Sequence, residues 1–173
     1  MAVIVVIGPS GVGKTTYGHH AAEEIKRCRF VDLDAAVSNC TGCPAGDLLA
    51  RIGADRFADI SGAVLLKVAG DPKATDPVLV AVGAGSLESR RAESWLYRGP
   101  TITVTARPEQ VFARGGARNA HRSLEQFTAT EFSIARQHLY GRADFTLDVS
   151  DLKLEAAQAR FTQLVREILE SHP

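Results

Sequence analysis

The chain has 173 residues and a mass of 18.5 kDa, with 45% hydrophobic and 23% charged residues; this is the usage of one globular domain and argues against a disordered chain. Lys plus Arg and Asp plus Glu both number 20, so the basic excess of a general nucleic-acid or membrane-surface binder is missing. Cys28, Cys40 and Cys43 cannot all pair within one chain, and the opening apolar run at 2–7 is too short for a signal peptide or a membrane span, so a reducing cytoplasm is expected.

Ala2 to Ile7 is short, β-branched and continuous, the signature of a strand buried on both faces of a parallel sheet. Gly8 to Gly13 ends it, and a helix is predicted from Lys14 to about Arg27. Phe30-Val31 reads as a second strand closing on Asp32-Leu33-Asp34. Residues 35–70 read as mostly helical, with a loop at Cys40 to Gly46, and Gly70 to Pro77 reads as a loop. Val78 to Val82, Thr101 to Thr105 and Phe145 to Val149 are further strands. A helix begins at Pro108, and Leu152 to Leu169 is an amphipathic helix. Strands alternating with helices predict an α/β domain with a five-stranded parallel sheet, spanning 1–173 as a single unit.

Gly8-Pro9-Ser10-Gly11-Val12-Gly13-Lys14-Thr15 fits Gly-x4-Gly-Lys-Thr, the phosphate-binding P-loop, between a strand and a helix. Glycines let successive N–H groups curl inward onto phosphate oxygens, and the helix N-terminus adds partial positive charge. Gly11, Val12, Gly13, Lys14, Thr15 and Thr16 are therefore the candidate ATP contacts. Lys14 reaches the β- and γ-phosphates, and the Thr15 hydroxyl ligates Mg²⁺.

From these residues onward the sequence resembles the shikimate kinase family of P-loop small-molecule kinases. The likeness rests on 8–18, Phe30-Val31-Asp32-Leu33-Asp34, Val82-Gly83-Ala84-Gly85, Thr105-Ala106-Arg107-Pro108-Glu109, Arg122-Ser123-Leu124, Arg136 to Tyr140 and Ala143-Asp144. It implies a sheet in the order 2-3-1-4-5, an acceptor-binding insertion at 35–77 and a mobile Arg-rich lid at 114–135. It implies that Asp32 helps hold Mg²⁺ and that Asp34 contacts the substrate hydroxyl. Gly83, Ala84 and Gly85 would approach the substrate, and Arg136 would touch both phosphate and substrate. Two carboxylates at i and i+2 on a strand point the same way, so both would face the phosphate loop. Six arginines lie between 107 and 142, a set suited to closing charge onto a transferring phosphoryl group. Arg122 is favoured as the lid arginine, with Arg118 close behind, and Arg114 is placed against adenine.

The acceptor half departs from the family. The family's Gly-Glu-x-x-Phe-Arg stretch reads Gly53-Ala54-Asp55-Arg56-Phe57-Ala58 here, and alanine cannot make a bidentate carboxylate contact. Arg51, near the same helical face as Ala58, is the expected compensating residue. The lid proline is replaced by Ser123. The expectation is an ATP- and Mg²⁺-dependent kinase acting on a hydroxyl of a small metabolite, shikimate or a related polyol or cyclitol. It would work without nucleic-acid or membrane partners, as a monomer or weak homodimer. A nucleotide-binding regulatory or pseudo-kinase protein, and a nucleoside or nucleotide kinase, stay open as alternatives. Cys40-x2-Cys43 lacks a second pair for zinc and is read as incidental.

Overall fold

The computed structural model describes residues 3–70 and 76–171. Strands β1 (Val3–Ile7), β2 (Arg29–Asp32), β3 (Val78–Ala81), β4 (Thr101–Thr105) and β5 (Phe145–Asp148) form one sheet, all pairs parallel, in the order β2-β3-β1-β4-β5. The expected sheet and strand order are both present. β1 and β3 are apolar on both faces because helices cover both sides, as a parallel sheet requires.

On one face, α1 (Lys14–Glu24) and α9 (Leu154–Ser171) pack with Tyr17, Ala21, Phe161, Val165 and Ile168 against the sheet. On the other, α2 (Leu33–Thr41), α3 (Ala45–Ile52), α4 (Ala54–Ala69) and α5 (Glu93–Leu96) build a second core around Leu33, Val37, Phe57, Leu65, Trp95 and Leu96. The segment expected to be mostly helical after residue 34 is therefore three helices. α4 is tied to the stretch after β3: Ser86 Oγ donates to Ser61 Oγ at 3.0 Å, and Trp95 Nε1–H donates to the Ala58 carbonyl at 3.0 Å. Gly62 makes room for the Trp95 ring. The loop expected at Gly70 to Pro77 lies largely outside the described residues.

α6 (Pro108–Gly115) starts with proline, runs into a 3-10 turn at Gly116–Asn119, and is followed by α7 (Leu124–Glu131) and α8 (Ile134–Gly141). Ser123 caps α7. Its Oγ accepts from Gln126 N at 3.1 Å, while Gln126 Oε1 accepts from Ser123 N at 2.9 Å, a reciprocal capping box. The serine that replaces the family proline thus has a helix-starting role of its own. No helix among the described residues is long and apolar enough to cross a membrane.

Candidate active site

The C-terminal ends of β1, β2 and β3 open onto two adjoining cavities. The larger, about 570 Å³, is lined by Ser10 to Tyr17 of the phosphate loop and α1, with Asp32, Gly83, Arg114, Leu152 and Leu154 around it. The smaller, about 260 Å³, lies between α3, α4, the turn after β3 and the α7–α8 junction. Ser10, Asp34 and Ala84 line both.

The loop takes its shape from its glycines. Gly8 has φ +146° and its Cα lies against the Val104 carbonyl; Gly13 has φ +112°, and a Cβ there would stand 2.6 Å from the Tyr17 ring. Gly13 is also the N-cap of α1 and supplies no side-chain cap, so the first N–H groups of α1 stay available to a ligand. Lys14 Nζ donates to the carbonyls of Gly8 at 2.8 Å and Pro9 at 3.0 Å. Burial pulls the Lys14 ammonium down to about 8, against the opposing pull of Glu131, Asp34 and Asp32. Gly11, Val12, Gly13, Thr15 and Thr16 all line this cavity.

Thr15 Oγ1 donates to Asp32 Oδ2 at 3.1 Å. Asp32 is the last residue of β2, and its Oδ1 accepts from Ala35 N at 3.2 Å, capping α2. That cap starts the helix at Leu33. Asp34 therefore sits in the first turn of α2, and not on a strand beside Asp32 as expected. The helical turn still brings it to the loop. Burial first, then Asp32, raise the Asp34 carboxyl above its ordinary value, and Lys14 opposes them. Its Oδ1 is buried without a hydrogen-bond partner. Gly83 packs so closely on this carboxyl that any Cβ would collide with it.

The arginines separate. Arg114 lines the larger cavity beside Tyr17, whose hydroxyl burial holds above its ordinary pKa against the opposing pull of the Arg114 charge. Arg136 lines the smaller cavity and is buried, with Nη1 2.6 Å from Glu131 Oε2 and Nη2 3.5 Å from Glu88 Oε1. Arg122 lines the smaller cavity and not the phosphate-loop cavity. It donates to Asn119 Oδ1 at 3.0 Å, lies 4.7 Å from the Phe127 ring centroid and reaches Glu131 Oε1 at 3.7 Å. The Arg118 side chain lies outside what is described. Arg51 is exposed on α3 with Nη1 3.9 Å from Cys43 Sγ, and it lines neither cavity. Ala58 is fully buried and offers its carbonyl to Trp95.

Sequence reasoning assigned no site role to Glu131, Glu88, Leu152 or Leu154. Glu131 is buried, and its Oε2 also accepts from Ser10 N of the phosphate loop at 3.0 Å. Its five-residue spacing to Arg136 fits no helical face; the pair meets because α7 ends at Glu131 and α8 begins at Ile134.

The family model described as "Shikimate kinase" matches residues 10–172. Curated shikimate kinases from Synechococcus sp. (strain CC9605) and Gloeobacter violaceus are 29% and 27% identical to the chain. Each alignment covers 96% of this chain, with 84% and 94% of the relative. Among solved structures, the shikimate kinase of Bacteroides thetaiotaomicron superposes with a TM-score of 0.79 at 21% identity, covering 98% of both chains. That of Acinetobacter baumannii, in complex with shikimate, gives 0.77 at 24% identity, covering 99% of this chain and 95% of its own.

Proposed function

The chain belongs to the shikimate kinase family, and from that premise we propose that it transfers the γ-phosphoryl group of ATP to a hydroxyl of a small metabolite, shikimate or a related polyol or cyclitol. The observation that carries the reading is Asp34: one half-buried carboxylate lines both cavities, with a buried oxygen that no protein group hydrogen-bonds.

The phosphate chain lies in the larger cavity, cradled by loop N–H groups and by Lys14, which exchanges its carbonyl partners for phosphate oxygens. The apolar Leu152 and Leu154 and the Arg114 guanidinium offer walls for a base. Thr15 and Asp32, whose oxygens stand 3.1 Å apart and exposed beside the loop, would hold Mg²⁺, an ion that takes few protein ligands. When bound, Mg²⁺ neutralises charge developing between the phosphates. The smaller cavity takes the acceptor, and its 260 Å³ suits a small metabolite. Asp34 accepts the hydrogen bond of the acceptor hydroxyl, aligns it and takes its proton as the P–O bond forms. The raised pKa makes this carboxylate a better base than an exposed one.

An assay of ADP release with Mg·ATP and a panel of shikimate, cyclitols, sugars and nucleosides tests the reading. Acceptor-dependent turnover that disappears in Asp34→Asn is expected. Tight ATP binding with no turnover on the whole panel would overturn it in favour of a nucleotide-binding protein without phosphotransfer.

A further inference from the structure

We infer that the acceptor cavity selects a hydroxylated compound bearing no carboxylate, and that Glu131 is the residue that sets this preference. The inference rests on the reading of the smaller cavity as the acceptor site and narrows the chemistry of what enters it.

The charge inventory of that cavity carries the argument. Among the described residues, its walls hold three carboxylates, Asp34, Glu88 and Glu131, and two guanidiniums, Arg122 and Arg136. Both guanidiniums already face Glu131. Arg136 Nη1 lies 2.6 Å from Oε2, and Arg122 Nη1 lies 3.7 Å from Oε1. The second terminal nitrogen of Arg136 is 3.5 Å from Glu88 Oε1. The Arg136 and Glu131 side chains are 6% and 5% exposed, so this pair sits where separating the charges is expensive. Ser10 N holds the same Glu131 oxygen at 3.0 Å, which fixes the carboxylate toward Arg136. Arg122 is further engaged by Asn119 Oδ1.

An incoming carboxylate therefore meets, among the described residues, no cation in this cavity that is not already paired. To reach Arg136 it has to displace a buried carboxylate, and it then stands beside Asp34 and Glu88. Lys14 faces Asp34 from the neighbouring cavity, but under the proposed reading the phosphate chain takes up that charge and adds more of its own. The rest of the wall, Ala45, Leu49, Phe57 and Ala84, is apolar and suits the carbon frame of a small ring. A neutral polyol fits this surface, and an amino-polyol, with its ammonium toward Glu88, fits it equally. Like charge in a closed site is the usual means by which a pocket rejects a near-isostere.

Shikimate and its methyl ester share one ring and one set of hydroxyls, differing in whether the acid is charged. Calorimetric titration of both into the protein with Mg·ADP, alongside an aminocyclitol, reads the preference directly. The ester is expected to bind the wild-type chain at least about tenfold more tightly than the acid. Glu131→Gln, which frees Arg136 while keeping an acceptor for Ser10 N, is expected to move the ratio at least about tenfold toward the acid. The acid binding the wild type as well as or better than the ester overturns the inference, as does an unchanged ratio in a folded Glu131→Gln protein. The wild-type comparison needs no variant, so a poorly folding mutant does not protect the claim. Failure of all three compounds to bind also overturns it. Turnover measured in parallel separates the two readings: ester preference without phosphoryl transfer refutes the proposed function and leaves the selectivity standing.

Discussion

Gly83 presses its Cα against the carboxyl group of Asp34, closely enough that no side chain fits between them. Gly83 has φ −70°, an ordinary value for any residue, so the requirement for glycine is purely one of space. Gly83→Ala should therefore fold normally and push the carboxylate out of line. A displacement on the order of 1 Å at a reacting group costs roughly 100-fold. We expect kcat to fall by at least about tenfold, with a much smaller change in the KM for ATP. Steady-state kinetics with both substrates varied checks the split.

Asp34 should trade stability for activity. Its folded pKa lies above the ordinary carboxylate value, so the folded chain binds more protons than the unfolded one as pH rises past that ordinary value. The stabilisation linked to this group is complete at low pH and is lost as pH rises through the folded pKa, which makes the ionised form a burden at pH 7. Asp34→Asn should raise the Tm by a few degrees while lowering turnover at least about 100-fold. Thermal melts and ADP-release assays on the same preparation test both halves. An unchanged turnover removes Asp34 from the mechanism.

Lys14 carries the opposite sign. A lysine lowered to about 8 is protonated less in the folded chain than in the unfolded one between about pH 8 and its ordinary 10.5, so its burden on stability is present below about 8 and relieved across that window. Phosphate oxygens favour the ammonium, so nucleotide binding above pH 8 should take up a proton. Affinity for ATP should then fall with rising pH, approaching about tenfold per unit. Calorimetry in two buffers of different ionisation enthalpy measures the uptake. Lys14→Ala should abolish the dependence and lower turnover at least about 100-fold.

Arg114 lines the larger cavity and not the smaller one, so under the proposed reading it serves the nucleotide alone. Arg114→Ala should raise the KM for ATP by roughly tenfold, the scale of a cation–π or stacking contact, with the KM for the acceptor unchanged. A matching loss on the acceptor side would mean the two cavities do not divide the substrates as proposed.

The sheet was legible because both-face burial leaves unbroken apolar runs such as Val3–Ile7 and Val78–Ala81. The phosphate loop was legible because its geometry demands glycine at fixed offsets. That Asp34 lies beside the phosphate loop was also readable, but its place in a helix was not. Asp32 can end a strand or cap a helix, and only the Ala35 N hydrogen bond decides between them. Glu131 and Arg136 left no periodic trace because two short helices meet between them. Arg51 lies off both cavities because helical phase fixes a direction relative to its own axis and says nothing about how α3 lies on the domain.

Tyr17 fills the space beneath Gly13 and rests on Phe161, ring centroids 6.0 Å apart. The anion cradle near the beginning of the chain is thus braced by a helix more than a hundred residues downstream. Shaving Phe161 to alanine would leave every polar ligand contact intact and still slacken the cradle from below. Weaker nucleotide retention would then trace to a lost hydrophobic footing, far from any charge.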